Sequence, residues 1–262
     1  MFRGFDLRVG NKYSFSTWKN VGVEEHSQKN LRCFEGLEAY TRRQVIDGKR
    51  VSDDWFGAVS ADVFLSHSHG DQSLAISIAG FLKEHFGLSC FIDSLVWGNS
   101  GKLNRQIDDV YCMSENGTTF DYDKRNYSTS HVHMMLASAL TEMIDSCECV
   151  IFLNTPKSID ATHSESLGLQ VTASPWIYHE LMATKFIRER RPSRFGLESR
   201  LITEVARIRK DAQDDLQIVY EAPVSHLTQL DTEDLFQWTN CDKAGQDALD
   251  YLYEKYPRNR KS

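Results

Sequence analysis

The chain has no apolar run approaching the ~20 residues needed to cross a bilayer. Its opening, Met1 to Gly10, has no continuous apolar stretch of the kind a secretory leader carries. Neither a membrane protein nor an exported one is expected. Positive charge is also in short supply: 30 Lys and Arg face 37 Asp and Glu, a net charge of −7. No basic face can dominate such a surface, so nucleic acid is not an expected partner. Cysteine offers no framework either. The six stand scattered at 33, 90, 112, 147, 149 and 241. Cys147 and Cys149 are one residue apart, unlike the spacing of structural zinc sites. A reduced, cytoplasmic protein is the simplest expectation. The glycine loops Gly-x-Gly-x-x-Gly and Gly-x-x-x-x-Gly-Lys-[Ser/Thr] are missing, as is Gly-x-Ser-x-Gly. Rossmann dehydrogenases, P-loop NTPases and serine hydrolases therefore gain no support. There is no internal repeat and no low-complexity tract.

What is present reads as alternating strands and helices. Hydrophobic residues make up 41% and charged residues 26%, ordinary for a globular chain. Ala61–Ser68 (Ala-Asp-Val-Phe-Leu-Ser-His-Ser) is a short apolar run ending in small polar residues, a buried strand feeding a loop. Leu74, Ile78, Phe81 and Leu82 then recur at helical spacing, and Gly87 stands where a helix C-cap belongs. Leu88–Asp93 reads as a second strand and Cys149–Leu153 as a third. Helices are expected over His131–Asp145, from Pro175 to about Arg190, over Glu198–Asp211 and over Asp242–Tyr256. A further strand is expected at Leu216–Tyr220. Such alternation implies a parallel sheet covered on both faces, with ligands gathering at the carboxyl ends of its strands.

Residues 1–57 fall outside this pattern and are set apart as an N-terminal extension, with an amphipathic helix expected at Asn30–Val45. Residues 58–256 form the domain, and 257–262 a tail. Ser94–Ser130 lacks clear periodicity and is expected to be an insertion, about 97–130, in which Met113–Ser130 is exposed loop. Lys102, Arg105, Lys124 and Arg125 could meet phosphates there. Arg188, Arg190, Arg191 and Arg194 are expected to decorate a helix end and the loop after it.

The most informative stretch is Ser174–Leu181, Ser-Pro-Trp-Ile-Tyr-His-Glu-Leu. Ser174 is a good N-cap, and Pro175 suits the first helical position. Trp176 and Glu180 then lie four apart on one face. An aromatic plate beside a carboxylate suits a flat, positively charged ligand; the bland alternative is a core Trp beside a surface Glu. Taken in order, Val-Phe-Leu-Ser-His-Ser, Cys-Phe-Ile-Asp and Ser-Pro-Trp-Ile-Tyr-His-Glu-Leu resemble the TIR (Toll/interleukin-1 receptor) domain family, and within it the stand-alone bacterial NADases of anti-phage defence. The resemblance covers about Ala58 to Tyr256.

It implies an α/β, flavodoxin-like doubly wound parallel sheet and an enzyme that cleaves the nicotinamide–ribose bond of NAD⁺. Glu180 would be the catalytic carboxylate. Trp176, Ser66, His67, Ser68, His69, Asp93 and Lys102 would line the substrate site. No resident cofactor or metal is implied, NAD⁺ being the substrate. Self-association through TIR surfaces is implied, as is a downstream effector that responds to an ADP-ribose-derived signal. The first alternative is a non-catalytic TIR interaction module in a signalling assembly. A lower one comes from Ser66-His67-Ser68-His69-Gly70-Asp71-Gln72, which nearly spells the His-x-His-x-Asp-His of metallo-β-lactamase-like zinc hydrolases. There Gln72 stands in place of the last ligand.

Overall fold

The computed structural model describes residues 1–10, 14–27, 36–42, 45–195 and 218–258. Its centre is a sheet of five parallel strands: β1 (Arg3–Arg8), β2 (Val63–Ser66), β3 (Cys90–Phe91), β4 (Cys149–Asn154) and β5 (Thr228–Asp231). Their order across the sheet is β3-β2-β4-β1-β5. The connecting helices are α1 (Lys19–Ser27), α2 (Gly48–Phe56), α3 (Gln72–Phe86), α4 (Ser100–Tyr111), α5 (Tyr122–Ser146), α6 (Ala161–Leu167), α7 (Pro175–Phe186), α8 (Thr232–Trp238) and α9 (Gly245–Lys255).

Alternation along the strands decides which helices cover which face. Phe5, Leu7, Val63, Leu65, Cys149, Ile151 and Leu153 point to one side, where they pack with α3, α8 and α9. Phe64 and Val150 point to the other and meet α2, α4 and α5; Phe152, on the same side, meets Ile177 and Leu181 of α7. The protein is thus an α/β structure with both faces of a parallel sheet buried. No helix among the described residues is long and apolar enough to cross a membrane.

Three expectations need correcting. The segment set apart as an extension supplies β1, which pairs with β4 on one side and β5 on the other. Phe5 and Leu7 are fully buried, and Asp6 between them is buried too, so the polar residue that broke the apolar run hid a central strand. Second, the described part of the strand expected at Leu216–Tyr220 does not join the parallel sheet. Tyr220–Glu221 instead pairs antiparallel with Val171–Thr172 in a separate two-stranded piece; Ile218 and Val219 are not in a strand, and residues 216–217 and the Glu198–Asp211 helix lie outside the described residues. Third, much of the expected loop is helical. Asn99 accepts a hydrogen bond from the Lys102 N–H and opens α4; Asp121 accepts one from the Lys124 N–H and opens α5. Buried Asp108 then accepts from Arg125 Nε and Ser128 Oγ, both at 2.9 Å, and ties the two helices together. The first turns of α5 are mostly exposed, which is why no apolar period announced them. Of the expected helix at Asn30–Val45, residues 30–35 and 43–44 lie outside the described set. Leu37–Tyr40 is a 3₁₀ turn, and Val45–Ile46 pairs antiparallel with Thr41–Arg42.

Helices α1 and α3 cross at two glycines. A Cβ on Gly22 would run into the carbonyl of Ile76, and one on Gly80 into the carbonyl of Trp18. Gly80→Ala therefore forces the helices apart, at a cost of about 1–3 kcal/mol, against a gain of up to ~1 kcal/mol in helix propensity. Urea denaturation should show net destabilisation, and amide exchange should show faster opening of α1. A stabilised variant would mean that the helices do not approach this closely.

Candidate functional site

Helix α7 begins as its sequence predicts. The Ser174 side chain accepts from the Ile177 N–H, and Pro175 occupies the first turn. Ile177 and Leu181 pack on Phe152 of β4, which fixes the rotation of the helix about its axis. Glu180, adjacent to Leu181, is thereby carried to the carboxyl end of β2. Ser66, the last residue of β2, donates its hydroxyl to Glu180 Oε2 at 2.5 Å. The carboxylate is 5% exposed. Burial pushes the Glu180 carboxyl well above its ordinary value of 4.5; the negative charge of Asp93 adds to the rise, and the Ser66 hydrogen bond opposes it.

Asp93 opens the single helical turn Asp93–Val96 that follows β3. Its Oδ1 lies 3.9 Å from Nδ1 of His67, a nitrogen that also lies 3.2 Å from the Leu65 carbonyl. On the far side of the ring, His67 Nε2 is 3.4 Å from the Ser94 hydroxyl, which accepts from Gln72 Nε2 at 2.9 Å. Ser66, His67, Asp93 and Glu180, separated by up to 114 residues in sequence, therefore form one cluster at the carboxyl ends of the strands. Ser94 and Gln72 belong to it and were not read from the sequence. Their one local signal was position: Ser94 follows the strand-ending Asp93, and Gln72 opens α3.

Among the described residues the carboxylate's hydrogen-bond partner is Ser66, and the other expected residues make different contacts. Ser68 caps the short turn His69–Asp71, and His69 is exposed. Trp176 is partly buried in the cluster beneath α5, its ring edge-to-face with His133 at 5.3 Å. Lys102 is exposed in the first turn of α4, its backbone N–H taken by Asn99. The zinc-like run does not converge. His67 turns inward, while Asp71 accepts from Thr155 at 2.5 Å and pairs with Lys157 at 3.2 Å. Among the described residues no three His, Cys, Asp or Glu side chains gather closely enough to hold a metal ion.

The arginine run finds specific partners. Arg194 forks onto both Asp250 and Glu148, and Arg190 pairs with Asp145. These contacts fasten the segment after α7 to α9 and to the approach of β4, and they leave the Glu180 cluster to hydroxyls, amides, an imidazole and a second carboxylate. Compared with known protein families, curated proteins and solved structures, the chain has no match.

Proposed function

We propose that this chain is a TIR-like enzyme that cleaves the nicotinamide–ribose bond of NAD⁺, with Glu180 as the catalytic carboxylate. The observation that carries the reading is the convergence of Ser66, Asp93 and Glu180, one from each of the three TIR-like motifs, on a single buried carboxylate. A flavodoxin-like sheet is part of the proposal, as are a cytoplasmic location, self-association and a role in nucleotide signalling or NAD⁺ depletion during anti-phage defence.

The chemistry follows from charge. Nicotinamide in NAD⁺ is already cationic, so the C1′–N bond breaks with its electron pair leaving on the neutral ring, and no acid is required. The ribosyl carbon left behind is oxocarbenium-like. A fixed carboxylate beside it lowers the barrier by electrostatic stabilisation. Attack by water at C1′, with loss of one proton, gives ADP-ribose; attack by the ligand's own adenine nitrogen gives a cyclic product. The raised carboxyl of Glu180 fits a group whose ionisation a cationic ring beside it would favour.

Ser66 is the positioning group. Its hydrogen bond favours the ionised carboxylate, and a bond to a charged group contributes about 1.5–3 kcal/mol. Ser66→Ala is therefore expected to slow release of nicotinamide by roughly tenfold or more and to move the acid limb of the pH–rate profile upward. Both are read by assaying free nicotinamide from NAD⁺. A profile that stays in place would separate Ser66 from the Glu180 ionisation.

A second reading, a non-catalytic assembly module, draws on two observations. Glu180 is closed over in this structure, and Tyr122, Tyr127 and Met134 are exposed along α5. Self-association with no nicotinamide release in the assembled state would favour that reading.

A further inference from the structure

A parallel sheet binds ligands where neighbouring strands send their chains to opposite faces, because the diverging loops leave a crevice beyond the carboxyl ends. This sheet has such a place on either side of β4, besides the one between β3 and β2. The chain leaving β4 passes to α7, against Phe152 and the face that Val150 shares. The chains leaving β2 and β1 both pass to the opposite face, to α3 and to the Phe15–Trp18 segment before α1. The crevice between β2 and β4 borders the Glu180 cluster. The one between β4 and β1 exists because β1 lies inside the sheet, and it opens into a cavity of about 730 Å³. That size suits a small organic ligand.

The walls of this second crevice are mixed in a definite way. Val9, Pro156 and Ile159 give an apolar side, and Asn154 and Gln170 bring amides. Asp231 stands at the lip. It caps α8 through Oδ1, which accepts from the Asp234 N–H at 2.9 Å. The Gly10 N–H donates to Thr232 Oγ1 at 2.9 Å, so the exit of β1 is tied to the start of α8 and the lip is held in place. Beneath lies Asp6, fully buried, with Oδ1 accepting from Asn154 Nδ2 and Oδ2 without a hydrogen-bond partner among the described residues. Among the described residues of the lining the cation is Arg8, its Nε 3.7 Å from that Oδ2. With Arg8 beside Asp6 and Asp231 at the lip, the described residues offer a phosphate-rich ligand no unopposed cation. A neutral ligand that donates hydroxyls and carries a flat apolar body meets complementary groups.

We infer that this crevice is a second small-molecule site, one that takes a ribonucleoside with its sugar diol on Asp231 and its base along the Val9–Pro156–Ile159 wall. The inference rests on the sheet and on this cavity, and not on the proposed catalytic role of Glu180. Its probe is adenosine, titrated calorimetrically into the full chain, with 2′-deoxyadenosine as the control. The expected result is saturable binding with Kd below about 1 mM. Glu180→Gln should leave that affinity within about twofold, a change too small to reflect a lost contact. Ala161→Trp, on the exposed rim, places an indole in the mouth and should weaken binding at least ~10-fold. Asp231→Asn keeps a good N-cap while removing the charge; it should weaken adenosine roughly 5-fold or more and leave 2′-deoxyadenosine, already weaker, almost unchanged. Absence of saturable binding by wild type at millimolar adenosine would overturn the assignment. So would binding that survives both Ala161→Trp and Asp231→Asn, or binding that Glu180→Gln abolishes, since the nucleoside would then occupy the other crevice.

Discussion

Glu180→Gln is expected to slow NAD⁺ cleavage by about 10²–10³-fold, the usual loss when one well-placed electrostatic group is removed from a reacting centre. The amide keeps the volume and can still accept from the Ser66 hydroxyl, so the geometry around it survives while the charge does not. Stability should move in the opposite sense. Burial and Asp93 hold the folded-state ionisation of Glu180 well above 4.5, so across that interval the native state binds more protons than the unfolded chain. The contribution of the protonated carboxyl is fully present below 4.5 and is lost as pH rises through the folded value. The glutamine variant has no such titration. Its thermal midpoint should therefore gain on wild type as pH increases from 4.5, and the wild-type pH–rate profile should show its acid limb above the range of an ordinary glutamate. Undiminished nicotinamide release by the folded variant would remove Glu180 from the reaction. A stability difference independent of pH would remove the buried, raised carboxyl.

Trp238→Ala is expected to be the most destabilising of the changes considered. The indole is fully buried, stacks on Phe86 with ring centroids 4.0 Å apart, and donates from Nε1 to the Ala248 carbonyl at 2.9 Å. Its removal takes away the largest side chain joining α8 and α9 to α3 and leaves a cavity that those helices fill only in part. Losses of this kind run to about 3–5 kcal/mol, against total stabilities of roughly 5–15 kcal/mol. Trp238→Phe keeps most of the ring and should lose less, chiefly the hydrogen bond, about 1–3 kcal/mol with the Ala248 carbonyl left buried. Urea denaturation of both variants orders them. An alanine variant within ~1 kcal/mol of wild type would mean that α8 and α9 do not close over this face as described.

Local chemistry was legible where a residue's own side chain decides the structure. The Ser174 cap, the Pro175 start and the left-handed Gly87 stop all stand where the sequence put them. So do the continuous apolar runs of β2 and β4, because strands buried on both faces need no alternation. The failures share a cause. β1 was hidden because Asp6, a charged residue in a buried strand, is accommodated by Asn154, which arrives from β4, together with Arg8 of the same strand. The start of α5 was hidden because Asp108, a turn and a half-helix away, supplies what an apolar stripe normally would. At the candidate site the motifs pointed to Ser66, Asp93 and Glu180. Trp176, though one turn from Glu180, finds its ring partner in His133. Ser94 and Gln72 enter only through contacts between elements, which no local pattern announces.

The place of β1 also bears on how the molecule is made. On the ribosome Arg3–Arg8 emerges before the other strands of the sheet, yet its two neighbours there are Cys149–Asn154 and Thr228–Asp231. Phe5 and Leu7 therefore stay uncovered while β2, α3 and β3 assemble beside a gap, and both edges of β1 remain open until distant chain arrives. Such long-range pairing slows folding and leaves apolar strand exposed to other chains. Nascent chains halted before residue 149 should consequently be captured by holdase chaperones through the uncovered β1, and release should follow synthesis of β4. The strand that creates the second crevice is thus also the one most dependent on synthesis running to its end.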